Sequence, residues 1–159
     1  MRNCIFFMVL SLSFSVSAFA YDWSTNPGDG SIENPYQISD PNHLMAIGSD
    51  PDLLDENYIL TNDIVFDPNN NPDHVFDRAL IAPDTDPNTS EFQGSYFTGS
   101  FDGANHKIIN LVIDTLGKSD YLGLFGVVSG SPVSNLGIEK IYRWRCQRWS
   151  AGWIYVWFR

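Results

Sequence analysis

Apolar residues along this chain fall in short clusters separated by Gly, Pro, Asn and Asp. Residues 24–35 are dominated by those separators and read as an extended loop. Tyr36-Gln37-Ile38 is a short strand candidate. Ser39-Asp40-Pro41 reads as a helix start, with Asp40 or Ser39 as N-cap and Pro41 at the first helical position. Leu44, Met45 and Ile47 follow at helical spacing and predict a short helix over about 41–48, which Pro51 stops or turns. Tyr58 to Phe66, YILTNDIVF, is rich in β-branched and aromatic residues and predicts one strand. Residues 67–94 are polar and broken by Pro68, Pro72, Pro83 and Pro87. They predict a long surface loop with a small piece of structure at Ala79-Leu80-Ile81-Ala82.

The pattern then repeats. FTGSFDGANHKIINLVI (97–113) and YLGLFGVVSGSPVSNLGI (121–138) both read aromatic-x-Gly-x-Phe, a polar turn, then apolar-x-Asn-Leu-x-Ile. Phe101 matches Phe125, Asn110 matches Asn135, and Ile113 matches Ile138. Phe97 likewise matches Tyr121, Gly99 Gly123, Ile108 Val133 and Leu111 Leu136. Internal repeats of about 20–50 residues signal a solenoid. Each unit holds two strand-like runs without helical period, which predicts one coil of a parallel β-helix. On that reading Phe101 over Phe125 and Ile113 over Ile138 are inward stacks, and Asn110 over Asn135 is an amide ladder.

Charge divides the chain into three parts. Residues 21–139 hold all 19 acidic residues and only Arg78, Lys107 and Lys118, a balance of −16. Such a body lacks the cations that phosphate contacts require, so nucleic acid is excluded as a partner. Residues 1–20 hold one charge, Arg2, then an apolar run, then Ala18-Phe19-Ala20. This is the layout of a signal peptide cleaved between Ala20 and Tyr21, and it predicts a secreted or cell-surface chain with no stable membrane insertion. Cys4 lies in the leader and Cys146 in the tail, so the body has no disulfide and no cysteine chemistry.

Gly123-Leu124-Phe125-Gly126, followed by Val133-Ser134-Asn135, resembles the core of the bacterial GLUG-repeat proteins. The likeness extends to Glu33-Asn34-Pro35-Tyr36-Gln37-Ile38, Leu44-Met45-Ala46-Ile47-Gly48, Tyr58–Ile64 and Phe97–Gly103 with His106. One departure is Ala104-Asn105, where the family has Asn-Gly; Asn105 can still take a left-handed turn conformation. The resemblance implies an exported, right-handed parallel β-helix and does not imply one activity.

Asp67, Asn69, Asn71 and Asp73 alternate like the start of a calcium loop, but Pro72 stands where glycine is needed and Arg78 where a bidentate glutamate is needed. They read as a solvated acidic loop, as do Asp84, Asp86 and Glu91. His106 reads as a structural turn residue, and His43 and His74 have no nucleophile at a meaningful spacing. Asp102-Gly103 is a turn dipeptide, and Asn88-Thr89-Ser90 is a glycosylation sequon. No catalytic, cofactor-binding or metal-binding residue is assigned.

Residues 140–159, KIYRWRCQRWSAGWIYVWFR, hold 4 of the 5 tryptophans and 5 of the 9 basic residues. One reading is a cationic interfacial segment with Trp149, Trp153 and Trp157 on one face. The genetic code offers another. A one-base shift turns every TGG tryptophan codon into a glycine codon, restoring a Gly-rich repeat where the next coil is due. The expectation is therefore a signal peptide at 1–20, the N-terminal part of a GLUG-type β-helix at 21–139, and an out-of-frame tail at 140–159. The function expected is a non-enzymatic structural or adhesive surface module, part of a longer repeat protein, whose ligand is a polysaccharide or another surface protein. The alternative is a fragment of a β-helical polysaccharide lyase or hydrolase.

Overall fold

The computed structural model describes residues 21–86, 88–115, 120–130, 132–140 and 142–143, the last two by their backbone. The expected leader with its cleavage point, and the tail beyond Arg143, lie outside the described residues. The described chain is mostly short strands with little helix.

Tyr36–Ile38 forms β1, as its composition predicts. The one α-helix among the described residues, α1, spans Pro41–Ser49. Asp40 caps it: its Oδ1 accepts from the Asn42 N–H at 2.7 Å and the His43 N–H at 3.3 Å. Pro51 opens a one-turn helix, Pro51–Leu53, capped in turn by Asp50. The buried face of α1 carries Leu44 and Ile47, both fully enclosed.

The YILTNDIVF run is not one strand. It gives β2 at Tyr58–Leu60 and β3 at Ile64–Val65. Between them the chain turns a corner, where Thr61 and Asn62 bond through their side chains to the backbone at the end of β1, 23 residues earlier. The Asn62 Nδ2 donates to the Ser39 carbonyl at 2.8 Å, and the Thr61 hydroxyl donates to the Ile38 carbonyl at 3.2 Å. The loop expected over 67–94 also contains more order than its composition suggests. Val75–Phe76 forms β4 after a one-turn helix at Pro72–His74. Ala79 to Ala82 are buried, and Ile81 makes a parallel bridge to Phe125.

The remaining strands are β5 (Phe101–Asp102), β6 (Lys107–Ile109), β7 (Val112–Ile113), β8 (Val133–Ser134), β9 (Gly137–Glu139) and β10 (Tyr142–Arg143). They build three sheets, ordered β1-β2-β5-β8, β3-β6-β9 and β4-β7-β10. Every pairing is parallel. From β2 to β10 successive strands enter the first, second and third sheet in turn, three times over. The backbone of the expected out-of-frame segment thus begins by pairing, as β10, with β7.

Register across the sheets sets the core. In the first sheet Tyr36, Tyr58, Phe101 and Val133 share one row. Tyr58 and Phe101 in the middle are fully buried, while Tyr36 and Val133 at the ends are half-buried. In the row Ile64, Ile108, Ile138 the first two are enclosed, Ile64 although its strand is an edge, and Ile138 is 39% exposed. The Tyr58 phenol stays satisfied inside by donating to the Leu53 carbonyl at 2.6 Å.

This register corrects the stacks expected from the repeat. Phe101 lies opposite Val133, not Phe125, and Phe125 lies opposite Ile81. Ile113 lies opposite Phe76 and Arg143, not Ile138. The repeated motif is local, whereas pairing follows the backbone path, and the motif falls at a different point of that path each time. Phe101 and Phe125 still touch edge-on, their centroids 5.6 Å apart. The expected amide ladder is also absent. Asn110 turns the corner between β6 and β7 and Asn135 the corner between β8 and β9, with φ of 61° and 53°. Their amides donate to different partners, the Phe66 carbonyl at 3.3 Å and the Asp102 carboxylate at 2.9 Å. Phe101 and Leu111 lie in one core, and Phe125 and Leu136 pack half-buried against it.

Candidate functional site

The acidic residues singled out in the sequence are occupied in turning the chain. The Asp67 carboxylate accepts from Asn70 N–H groups, and Asn71 caps the Pro72–His74 turn through the Asp73 N–H at 3.1 Å. Those hydrogen bonds hold the Asp67 carboxyl below the usual carboxylate range. Asp84 is buried and pins the base of the next loop, its Oδ1 accepting the Gln93 N–H at 3.0 Å and the Asp86 N–H at 3.3 Å. Glu91 is exposed. Among the described residues no group of three or more His, Cys, Asp or Glu side chains is gathered as a metal site.

The histidines serve the fold. His43 is buried, and its Nδ1 accepts the Ser39 N–H at 3.2 Å. His74 is buried, and its Nδ1 accepts the Asp67 N–H at 2.8 Å. His106 lies 3.3 Å from the Asp63 carboxylate, which also accepts the Lys107 N–H at 2.9 Å. Lys107 in turn pairs across the second sheet with Glu139, whose carboxylate raises the lysine's pKa. Asp102 accepts from the Ala104 N–H at 2.9 Å and from Asn135, so it braces two turns. The sequon Asn88-Thr89-Ser90 is exposed, and its Asn88 amide donates to Asp86 at 2.9 Å.

A different region, which the sequence reading passed over as loop, holds an open surface cleft. A cleft of about 480 Å³ opens between the leading loop and β1. Trp23 and Tyr36 both line it, their ring centroids 4.7 Å apart and their planes inclined at 51°. Ser24, Asp29 and Asn34 supply polar lining. The loop that carries them is held by four links. Asn26 bonds the backbone of Gln37, and the Asp29 N–H donates to the Asn34 carbonyl at 3.0 Å. The Asp29 carboxylate accepts the Ser31 N–H at 3.0 Å, and the Ser31 hydroxyl accepts the Asn34 N–H at 3.1 Å.

Electrostatically the cleft is acidic. Hydrogen bonds from Ser31 and Asn34 hold the Asp29 carboxyl below its ordinary range. Burial, then the charges of Glu56 and Asp29, push the Tyr36 hydroxyl up. Burial, then Asp55 and Asp29, raise the Glu56 carboxyl. Trp23 is the one tryptophan of the body, which was the sequence signal for this site.

Among the described residues no helix is long and apolar enough to cross a membrane. No family model matches the chain, and no solved structure matches it. The chain is 36% identical over 103 residues to Halomucin of Haloquadratum walsbyi. The match covers 62% of this chain and 1% of that protein, so the chain spans about one hundredth of its relative's length.

Proposed function

We propose that this chain is an exported, non-enzymatic surface module, structural or adhesive, built as a right-handed parallel β-helix of the GLUG-repeat type. The observation that carries the reading is the strand order: successive strands enter three parallel sheets in rotation. A chain winding in one sense around a shared core gives that order, and crossovers between parallel strands are overwhelmingly right-handed. The rows Tyr36-Tyr58-Phe101-Val133 and Ile64-Ile108-Ile138 are then inward stacks. Export rests on the layout of residues 1–20 and is supported by the likeness to a stretch of Halomucin. The carboxylates and histidines described above are engaged in corners and caps, which favours a module over an enzyme.

The module is part of a longer repeat protein whose reading frame is lost after about residue 139. The abrupt change from 19 acids to none supports this. Sequencing the coding DNA tests it: a Gly-rich repeat in the shifted frame is expected, and an early stop in that frame overturns it. Expression of the chain with its own leader tests export, with Tyr21 as the first residue of the released protein. Incubation with polysaccharides, with and without calcium, is expected to leave them intact; depolymerisation would overturn the non-enzymatic reading.

A further inference from the structure

The cleft beside Trp23 has the chemistry of a site for a neutral sugar. Its volume, about 480 Å³, lies in the range of small-ligand sites, about 300–1,000 Å³. Trp23 and Tyr36 make an apolar aromatic wall, and opposite polarity is supplied by Asp29, Asn34 and Ser24. A pyranose ring has that same division: a C–H face that packs on an aromatic ring, and an equatorial rim of hydroxyls that seek carboxylate and amide partners.

Other ligand classes fit less well. No cation lines the cleft, so an anion finds only Asp29 and the nearby Glu56. An organic cation prefers two or more ring faces converging on one point. Here the two rings pack on each other, tilted by 51° with centroids 4.7 Å apart, so each covers part of the other's face. A purely apolar ligand would strip water from Asp29 and Asn34 without replacing its hydrogen bonds.

The wall is also fixed before any ligand arrives. Trp23 touches Tyr21, Tyr36, His43 and Tyr58, and the Asp29–Asn34 loop is closed by its own hydrogen bonds. A preformed site loses little ordering entropy on binding. We propose that this cleft binds a neutral saccharide, with the Trp23–Tyr36 wall stacking on the sugar's C–H face and Asp29 and Asn34 taking its hydroxyls. The inference rests on the exported reading, because it assigns the extracellular ligand of that module.

Saturation-transfer NMR and titration calorimetry on the mature chain test it, using glucose, galactose, N-acetylglucosamine, their β-linked disaccharides and choline chloride. At least one neutral sugar is expected to receive saturation on its ring C–H protons. Asp29→Asn, which keeps an acceptor for the Ser31 N–H, and Asn34→Ala are each expected to weaken that binding about tenfold, with the far-UV circular dichroism unchanged. Trp23→Phe, which keeps the packing and shrinks the platform, is expected to weaken it as well. Silence from every sugar, binding of choline in their place, or sugar binding that survives all three substitutions would overturn the proposal. These outcomes are read in vitro and stand apart from export, which the N-terminal residue of the released chain reports.

Discussion

Asn26 grips the peptide of Gln37 on both sides. Its Oδ1 accepts the Gln37 N–H and its Nδ2 donates to the Gln37 carbonyl, each at 2.9 Å. Gln37 lies in β1, an edge strand of its sheet. One side chain therefore meets that edge as a neighbouring strand would, and an edge so engaged cannot recruit another chain.

Asn26→Ala should be costly. Asn26 is buried, and the change also removes the acceptor of the Gly28 N–H. The loss is expected to be about 2–4 kcal/mol, from several backbone groups left unpaired. Urea unfolding measures it, and a change within about 0.5 kcal/mol would show that water replaces the amide.

Gly48→Ala should reverse the usual sign. Alanine in a helix is ordinarily better than glycine by about 1 kcal/mol. Here a Cβ would stand 1.7 Å from the Leu80 carbonyl oxygen, because α1 lies directly on that backbone. A fall in melting temperature is expected, against little change for Ser49→Ala on the exposed side of the same helix.

Ala104→Asn should stabilise the protein. Ala104 and Asn105 have φ of 47° and 66°, and the His106 N–H closes the turn on the Gly103 carbonyl at 2.7 Å. Two central residues with positive φ are the mark of a type I′ turn, which favours Asn-Gly and strains alanine. A gain of about 0.5–1 kcal/mol is expected from relieving that strain. Unfolding midpoints of the variant and of Ala104→Val, which should fall, decide it.

Glu56→Gln should help most at neutral pH. The folded state raises the Glu56 carboxyl, chiefly by burial and then through Asp55 and Asp29. A raised carboxyl favours the folded state below the ordinary glutamate range, about pH 4, and that contribution is lost as pH rises through the folded value. Thermal melts at pH 7 and pH 3.5 should show the variant gaining on the parent only at the higher pH. Equal differences at both would contradict the assignment.

Two isoleucines in one row provide a test of register. Ile108 is fully enclosed and Ile138, its partner, is 39% exposed. Ile108→Ala is expected to cost about 2–5 kcal/mol and Ile138→Ala about 1 kcal/mol or less.

The caps and the helix were plain in the sequence because they are local: Asp40, Pro41 and the spacing of Leu44 and Ile47 act within a few residues. The strand at Tyr36–Ile38 was plain for the same reason. The partners were not. Phe101 and Phe125 look equivalent by composition, yet one faces Val133 and the other Ile81, because register depends on residues consumed at the corners. The break at Thr61–Asp63 was hidden by the β-rich residues on either side. The Trp23 cleft escaped because its residues sit in a Gly/Pro/Asn loop whose closure depends on hydrogen bonds that composition does not display.

Every strand pairing joins residues far apart in sequence. Tyr36 and Tyr58, the nearest, are 22 positions apart, and Tyr58 and Phe101 are 43 apart. Doubling a loop adds only about 0.6 kcal/mol of closure entropy, so no pairing is favoured decisively as the first to form. Sheet formation must therefore begin with a non-local closure wherever it begins, and chains dominated by such pairings fold in milliseconds to seconds. A slow folder stays threadable for longer. Were the chain exported unfolded, as proposed above, that delay would keep the rows of Tyr58 and Ile108 from assembling before it is through.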